Sequence, residues 1–141
     1  MMFWDSSAVV PLLVEEPTTP SVRKILAGTS TMIVWVLTPV EVTSALWRRL
    51  REGALDERAV VQALDGLREI ELAWNAVIDV DQVEKRARRL LAVHALRSAD
   101  ALQLAAALLG TDEQPSGQPL VTLDRQLADI ARREGFRILP E

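Results

Sequence analysis

The stretch RSADALQLAAALL, Arg97 to Leu109, decides how the chain folds. After Asp100 its side chains are Ala101, Leu102, Gln103, Leu104, Ala105, Ala106, Ala107, Leu108 and Leu109. A helix of this composition is apolar almost all round, and such a helix is buried. It is too short for a bilayer, which takes about 20 apolar residues. It is therefore expected to run through the middle of a core, its alanines letting neighbours approach closely. Ser98 reads as the N-cap, which places Asp100 in the first turn, where the helix dipole favours a negative charge. Asp100 then either complements the dipole or is a carboxylate aimed into a site.

Composition narrows the choice. A chain of 141 residues suits one domain, 1–141, around one core. With 49% hydrophobic residues it is globular and not disordered. The absence of cysteine excludes disulfides, thiolate catalysis and cysteine–zinc sites. A single histidine, His94, excludes multi-histidine metal sites, weighs against a histidine-centred triad, and reads as structural. MMFWDSS has neither a basic region nor a long apolar one, so no secretory signal is expected. No apolar run reaches membrane length, and a soluble, cytoplasmic protein is the expectation. The net charge of -4 does not announce a nucleic-acid partner; binding one requires a local basic patch or bound cations.

Working outward, Met2 to Trp4 reads as a buried strand ending at Asp5. Ala8 to Leu13 is a short helix, broken by Pro17 and Pro20, and Ser21 to Leu26 is a second helical piece. Met32 to Val36 is a buried strand. Thr38-Pro39-Val40-Glu41 reads as a capping box that opens a helix to about Glu52. Asp56 to Ile70 is an amphipathic helix, Val77 and Ile78 a short strand, and Gln82 to Leu96 a helix with a basic face. Beyond the central helix, Thr111 to Gln118 is a loop, Leu120 to Leu123 a strand, Asp124 to Glu134 a helix and Phe136 to Leu139 a last strand. Strands alternating with helices predict an α/β sandwich around a mostly parallel sheet.

Four carboxylates stand out. Asp5 and Asp124 close strands, Glu41 opens the helix after a strand, and Asp100 opens the central helix. Sites in open parallel sheets form beyond the carboxyl ends of the strands. Carboxylates without histidine or cysteine make a hard-oxygen environment suited to Mg²⁺ or Mn²⁺. Each acid taken alone reads more readily as a cap. The capping box accounts for Glu41 and the following helix for Asp124. Asp5 is a weaker cap because Ser6 or Ser7 can do that work, and Asp100 is weaker still beside Ser98. A functional reading rests on all four converging.

The segments FWDSSAVVPLL (3–13), TPVEVTSAL (38–46), LRSADALQLAAALL (96–109) and LVTLDRQLADIARREGF (120–136) together resemble PIN-domain ribonucleases, in particular the VapC toxins of bacterial type II toxin–antitoxin pairs. The resemblance runs from Phe3 to Leu139, and its last two segments are the specific ones. It implies a three-layer α/β/α sandwich around a mostly parallel sheet of four to five strands. It implies a Mg²⁺- or Mn²⁺-dependent endoribonuclease with Asp5, Glu41, Asp100 and Asp124 as its acidic quartet. The metal falls to Asp5, Asp100 and Asp124, and the products carry 5′-phosphate and 3′-hydroxyl ends. Ser7 and Thr122 are carried over as polar groups of the site. The implied partners are transfer or ribosomal RNA, a separate VapB-like antitoxin and a second copy of the chain.

A phosphodiester is an anion that bare carboxylates repel, and a divalent cation reverses that local sign. Positive charge elsewhere comes from Arg48, Arg49 and Arg51, from Lys85, Arg86, Arg88 and Arg89, and from Arg97. Of these, Arg48, Arg86 and Arg97 are the candidate RNA contacts, set against the plain reading of solvated helix faces. Most of the tryptophans, Trp35 and Trp74 among them, are expected in the core, and Trp4, directly before Asp5, reads as core or a dimer contact. Trp47 stays open between the core, an antitoxin groove and a dimer interface. Ser7 stands where a haloacid-dehalogenase-type phosphatase carries its second Asp, and Ser6 argues against a phosphoacceptor receiver. The remaining alternative is a non-catalytic PIN-fold module that binds RNA or protein.

Overall fold

Strand β1 (Met2–Trp4) lies at the centre of one five-stranded sheet in the computed structural model, which describes residues 1–141. In chain order there follow α1 (Ser6–Leu13), α2 (Thr19–Ala27), β2 (Met32–Trp35), α3 (Thr38–Arg51) and α4 (Glu57–Glu71). Next come β3 (Asn75–Val77), α5 (Val80–Val93), α6 (Ser98–Gly110), β4 (Pro119–Val121), α7 (Arg125–Arg133) and β5 (Arg137–Leu139). The spatial order is β3-β2-β1-β4-β5, and every pairing is parallel. The expected sandwich is present, with a sheet wholly rather than mostly parallel.

Helices cover both faces, which is why the central strands β1 and β2 read as continuous apolar runs, whereas the edge strands β3 and β5 carry exposed Asn75 and Arg137. Successive side chains alternate between two cores. Phe3, Trp35, Leu120 and Ile138 face one core, filled by α5, α6 and α7. Trp4, Met32, Val34 and Val121 face the other, filled by α1, α2, α3 and α4. Trp4 and Trp35 are fully enclosed, whereas Trp47 and Trp74 are half-buried against the second core.

Helix α6 is the buried helix that its composition demands: Ala101 and every residue from Gln103 to Leu108 are buried. Leu104 and Leu108 are 0% and 1% exposed. Burial stabilises each by about 1.5–3 kcal/mol. Its start differs from expectation. Arg97 is the N-cap, Ser98 is already helical, and no side chain caps the helix.

Two other helix starts also differ. Leu37, not Thr38, is the N-cap of α3, and no side chain caps that helix, so there is no capping box. Asp5 itself caps α1, accepting from Ser7 N, where Ser6 or Ser7 was expected to act. Asp124 caps α7, accepting from Leu127 N, as anticipated. Helix α5 begins at Val80 and ends at Val93, two residues earlier at its start and three earlier at its end than the pattern suggested. No helix is long and apolar enough to cross a membrane.

Candidate active site

The direction of travel through the sheet reverses at β1. The chain passes from β1 to β2 and β3 on one side, then returns to place β4 and β5 on the other. A crevice forms beyond the carboxyl ends of strands that diverge in this way. Here it is an open cleft lined by Asp5, Ser7, Glu41, Arg48, Asp100 and Asp124, among others. All four predicted acids therefore share one site, each delivered by a different segment.

Asp5 leaves the end of β1 and is 3% exposed. Its backbone N–H donates to Val121 O over 2.9 Å, extending the pairing with β4 by one step. Its Oδ2 accepts three hydrogen bonds, from Ser7 N (3.3 Å), Ser7 Oγ (2.5 Å) and Thr122 Oγ1 (2.9 Å). Leu123 N donates to Ser7 Oγ over 2.9 Å, and Asp124 N donates to Thr122 Oγ1 over 3.1 Å. Ser7 and Thr122 thus join Asp5 to the backbone that carries Asp124. The network engages Oδ2 alone and leaves Oδ1 without a hydrogen bond.

Glu41 sits in the first turn of α3, half-buried, where Gln103 Nε2 donates to its Oε2. Asp100 occupies the first turn of α6. Burial pushes the Asp5 carboxyl above its ordinary value; the Ser7 and Thr122 hydrogen bonds oppose that rise and the Asp124 charge adds to it. Burial, reinforced by the charges of Asp5 and Asp100, lifts Glu41 from 4.5 to about 7 against the pull of Gln103. Burial and the charges of Asp124 and Asp5 lift Asp100 from 3.8 to about 6, with Arg97 opposing. Desolvation and like charge both disfavour the ionised form, so the acids crowd one another.

As the side chains stand, no three acids converge closely enough to grip a metal ion. The donor chemistry nevertheless fits a hard divalent cation: the cleft offers carboxylate and hydroxyl oxygens, with neither histidine nor cysteine. The raised carboxyls fit as well, because a dication favours the ionised form that burial and, secondarily, mutual repulsion disfavour.

The basic candidates separate. Arg48 lines the cleft and enters no ion pair; Arg49 also lines it, but its Nε donates to Glu16 Oε1 over 2.8 Å. Arg97 lies close enough to Asp100 for its charge to oppose the rise there. Arg86, the third candidate RNA contact, does not line the cleft. Its Nε donates to Glu113 Oε1 over 2.7 Å, beside the loop after α6 and at the far end of that helix from Asp100. Arg88 pairs with Glu84 one turn away. His94 is outside the cleft, as its structural reading implied, with Nε2 2.7 Å from Glu134 Oε1.

Two site residues escaped the sequence reading. Gln103 is 1% exposed and bonds Glu41 and Thr38 across α3 and α6. A signal existed, since it is the one polar side chain after Asp100 in an otherwise apolar helix, and it lies one turn from Asp100. Thr38, taken as a cap, is instead a fully buried acceptor for Gln103.

Similarity to known proteins agrees with this geometry. Residues 2–133 match the PIN domain family. Ribonuclease VapC45 and ribonuclease VapC49, from two strains of Mycobacterium tuberculosis, are each 32% identical over 143 residues, covering 99% of this chain and 95% of theirs. The crystal structure of Mycobacterium tuberculosis VapC20, described as a sarcin-ricin loop cleaving toxin, superposes with a TM-score of 0.68 at 18% identity, covering 92% of this chain and 95% of that one. That likeness speaks for the fold, and the full-length relatives speak for descent. With its parallel sheet, its acids gathered beyond β1 and β4 and these relatives, the chain belongs to the PIN-domain family.

Proposed function

We propose that this chain is an endoribonuclease that depends on Mg²⁺ or Mn²⁺ and acts as the toxin of a bacterial toxin–antitoxin pair. One observation carries the reading: four carboxylates on four separate segments line a single cleft. A scaffold that only docks a partner has no use for acids that raise one another. The relatives named ribonuclease VapC support the nuclease class.

Asp5, Asp100 and Asp124 would hold the cation, with Glu41 completing the acidic wall. When bound, the ion supplies Lewis acidity toward the phosphate and toward water. Asp5 is preset for this role, because Ser7 and Thr122 fix Oδ2 and leave Oδ1 uncommitted. Asp124 shares the same network through its backbone, which fixes its position relative to Asp5. Glu41, on the cleft wall in the first turn of α3, can take a proton from an attacking water. Water adds to phosphorus and the P–O3′ bond breaks. The proton ends on O3′, leaving a 5′-phosphate and a 3′-hydroxyl. Arg48, without an ion pair on the cleft wall, would meet the RNA backbone, and Arg97, at the start of α6 beside Asp100, would add a second positive charge.

The substrate class is a structured RNA such as transfer or ribosomal RNA. The chain works as one domain, pairs with a second copy and acts in the cytoplasm. Its VapB-like antitoxin lies along the cleft beside α1 and α3, with Val40, 66% exposed on the rim, as an apolar contact. Purified protein should cleave structured RNA with Mg²⁺ or Mn²⁺ and not with chelator, and end-labelling should find 5′-phosphates. Cleavage that survives Asp5→Asn, Asp100→Asn and Asp124→Asn together would remove the assignment.

A further inference from the structure

Helix α6 spends a buried position on an amide. Gln103 is surrounded by Leu102, Leu104 and alanines, and a leucine or methionine there would continue the apolar packing. The amide is an awkward choice on packing grounds, because its Oε1 is buried and has no partner. An unpartnered buried acceptor destabilises a fold, so a stability role explains Gln103 poorly.

Its donors are fully used. A glutamine amide carries two N–H bonds. One reaches Thr38 Oγ1 over 3.1 Å and the other reaches Glu41 Oε2. Thr38 and Glu41 are three residues apart in the first turn of α3. Gln103 itself is three residues after Asp100 in α6, so both project from one side of that helix. A flipped amide would turn Oε1 onto a carboxylate, which repels it. An ionised Glu41 therefore selects the observed orientation, and the amide in turn holds the Glu41 carboxylate in place.

We infer that Gln103 is a positioning residue: its amide ties the first turn of α3 to α6 and sets the Glu41 carboxylate against Asp100 and Asp5. The inference rests on the nuclease reading above and extends it to a residue that touches neither the cation nor the RNA. Its function is to hold a carboxylate, not to react. The idle Oε1 follows directly, since both amide hydrogens are needed on the α3 side.

The test begins with metal-free wild-type protein. NMR should show the Gln103 side-chain amide protons shifted downfield and slow to exchange. That signature should disappear in Glu41→Ala and persist in Asp124→Asn. A Gln103 amide that exchanges freely in wild type overturns the inference. The second arm uses Gln103→Met, which keeps length and volume and removes both donors. Mn²⁺ affinity measured by calorimetry should fall roughly tenfold, because a loosened Glu41 no longer completes the acidic wall around the cation. kcat should fall with it, while KM for RNA holds. In a Glu41→Gln background the same change should have no further effect on Mn²⁺ affinity. Wild-type affinity and kcat in Gln103→Met, or an undiminished effect without Glu41, overturns the inference. A wild-type chain that neither binds Mn²⁺ nor cleaves RNA overturns the nuclease reading instead, and the amide signature still decides whether the tether exists.

Discussion

Thr122 and Asp5 are 117 positions apart in the chain, yet Thr122 Oγ1 donates to Asp5 Oδ2 over 2.9 Å. The cause is the register of β1 and β4, which pairs Trp4 with Val121 and so brings the next residues of both strands side by side. Thr122→Val keeps the shape and removes the bond. A hydrogen bond to a charged group contributes about 1.5–3 kcal/mol. Denaturant melts in chelator at pH 8 should show a loss of about that size, and Mn²⁺ affinity should fall. An unchanged melting curve would mean that this contact does not organise Asp5.

Crowding of the acids has a pH signature. Asp100 rises from 3.8 to about 6 and Glu41 from 4.5 to about 7 in the folded chain. The folded state thus holds protons more tightly than the unfolded state. The stability linked to that protonation is complete below about pH 4 and is lost as pH rises past about 7. Comparing Asp100→Asn with wild type in chelator isolates one of these groups. The variant should be as stable as wild type at pH 8, or more stable by up to about 1 kcal/mol, since Asp100 is half exposed and partly screened. Loss of the helix-dipole interaction works against this gain by about 0.3–1 kcal/mol. A variant clearly less stable at pH 8 would make Asp100 a dipole partner only.

Saturating Mn²⁺ should remove the pH penalty. An ion that binds only the folded chain stabilises it by mass action, by about 2.7 kcal/mol at a hundred times its dissociation constant. Thermal melts at pH 8 should therefore shift upward with Mn²⁺ in wild type and much less in Asp5→Asn. Equal shifts in both would place the ion elsewhere.

Arg48 and Arg86 make a matched pair for RNA binding. Arg48 lines the cleft without an ion-pair partner, whereas Arg86 is bonded to Glu113 away from it. Arg48→Ala should weaken RNA binding and lower the slope of log affinity against log salt by about 0.7, the value for one phosphate contact on a single strand. Arg86→Ala should leave both unchanged. Titrations of RNA into the cleavage-deficient Asp124→Asn chain at several salt concentrations read this directly. A larger effect from Arg86 would move the RNA path to the α5 face.

Leu104→Ala probes the frame that carries Asp100 and Gln103. Leu104 is 0% exposed on α6. Loss of its side chain should cost about 2–5 kcal/mol. A cost below about 1 kcal/mol would show that α6 is not the packed centre of the fold.

Much of this was legible because it is local. An all-round apolar helix has to be buried, and the apolar runs Met2–Trp4 and Met32–Trp35 suit a sheet covered on both faces, whatever the neighbours are. The short range of that physics is why α6, the strands and the sandwich were readable from residues 97–109 and their flanks. The quartet was nameable through the motifs around Asp5, Glu41, Asp100 and Asp124. Tertiary structure decided what those residues touch. Leu37 displaced Thr38 as the α3 cap, Asp5 became the α1 cap, and Glu41 took Gln103 as its partner. It also decided that Arg48 lines the cleft with the acids and that Arg86 turns to Glu113. The Arg86–Glu113, Gln103–Glu41 and Thr122–Asp5 contacts close over 27, 62 and 117 positions of chain. Their partners depend on strand register and helix placement, which spacing along a sequence does not encode.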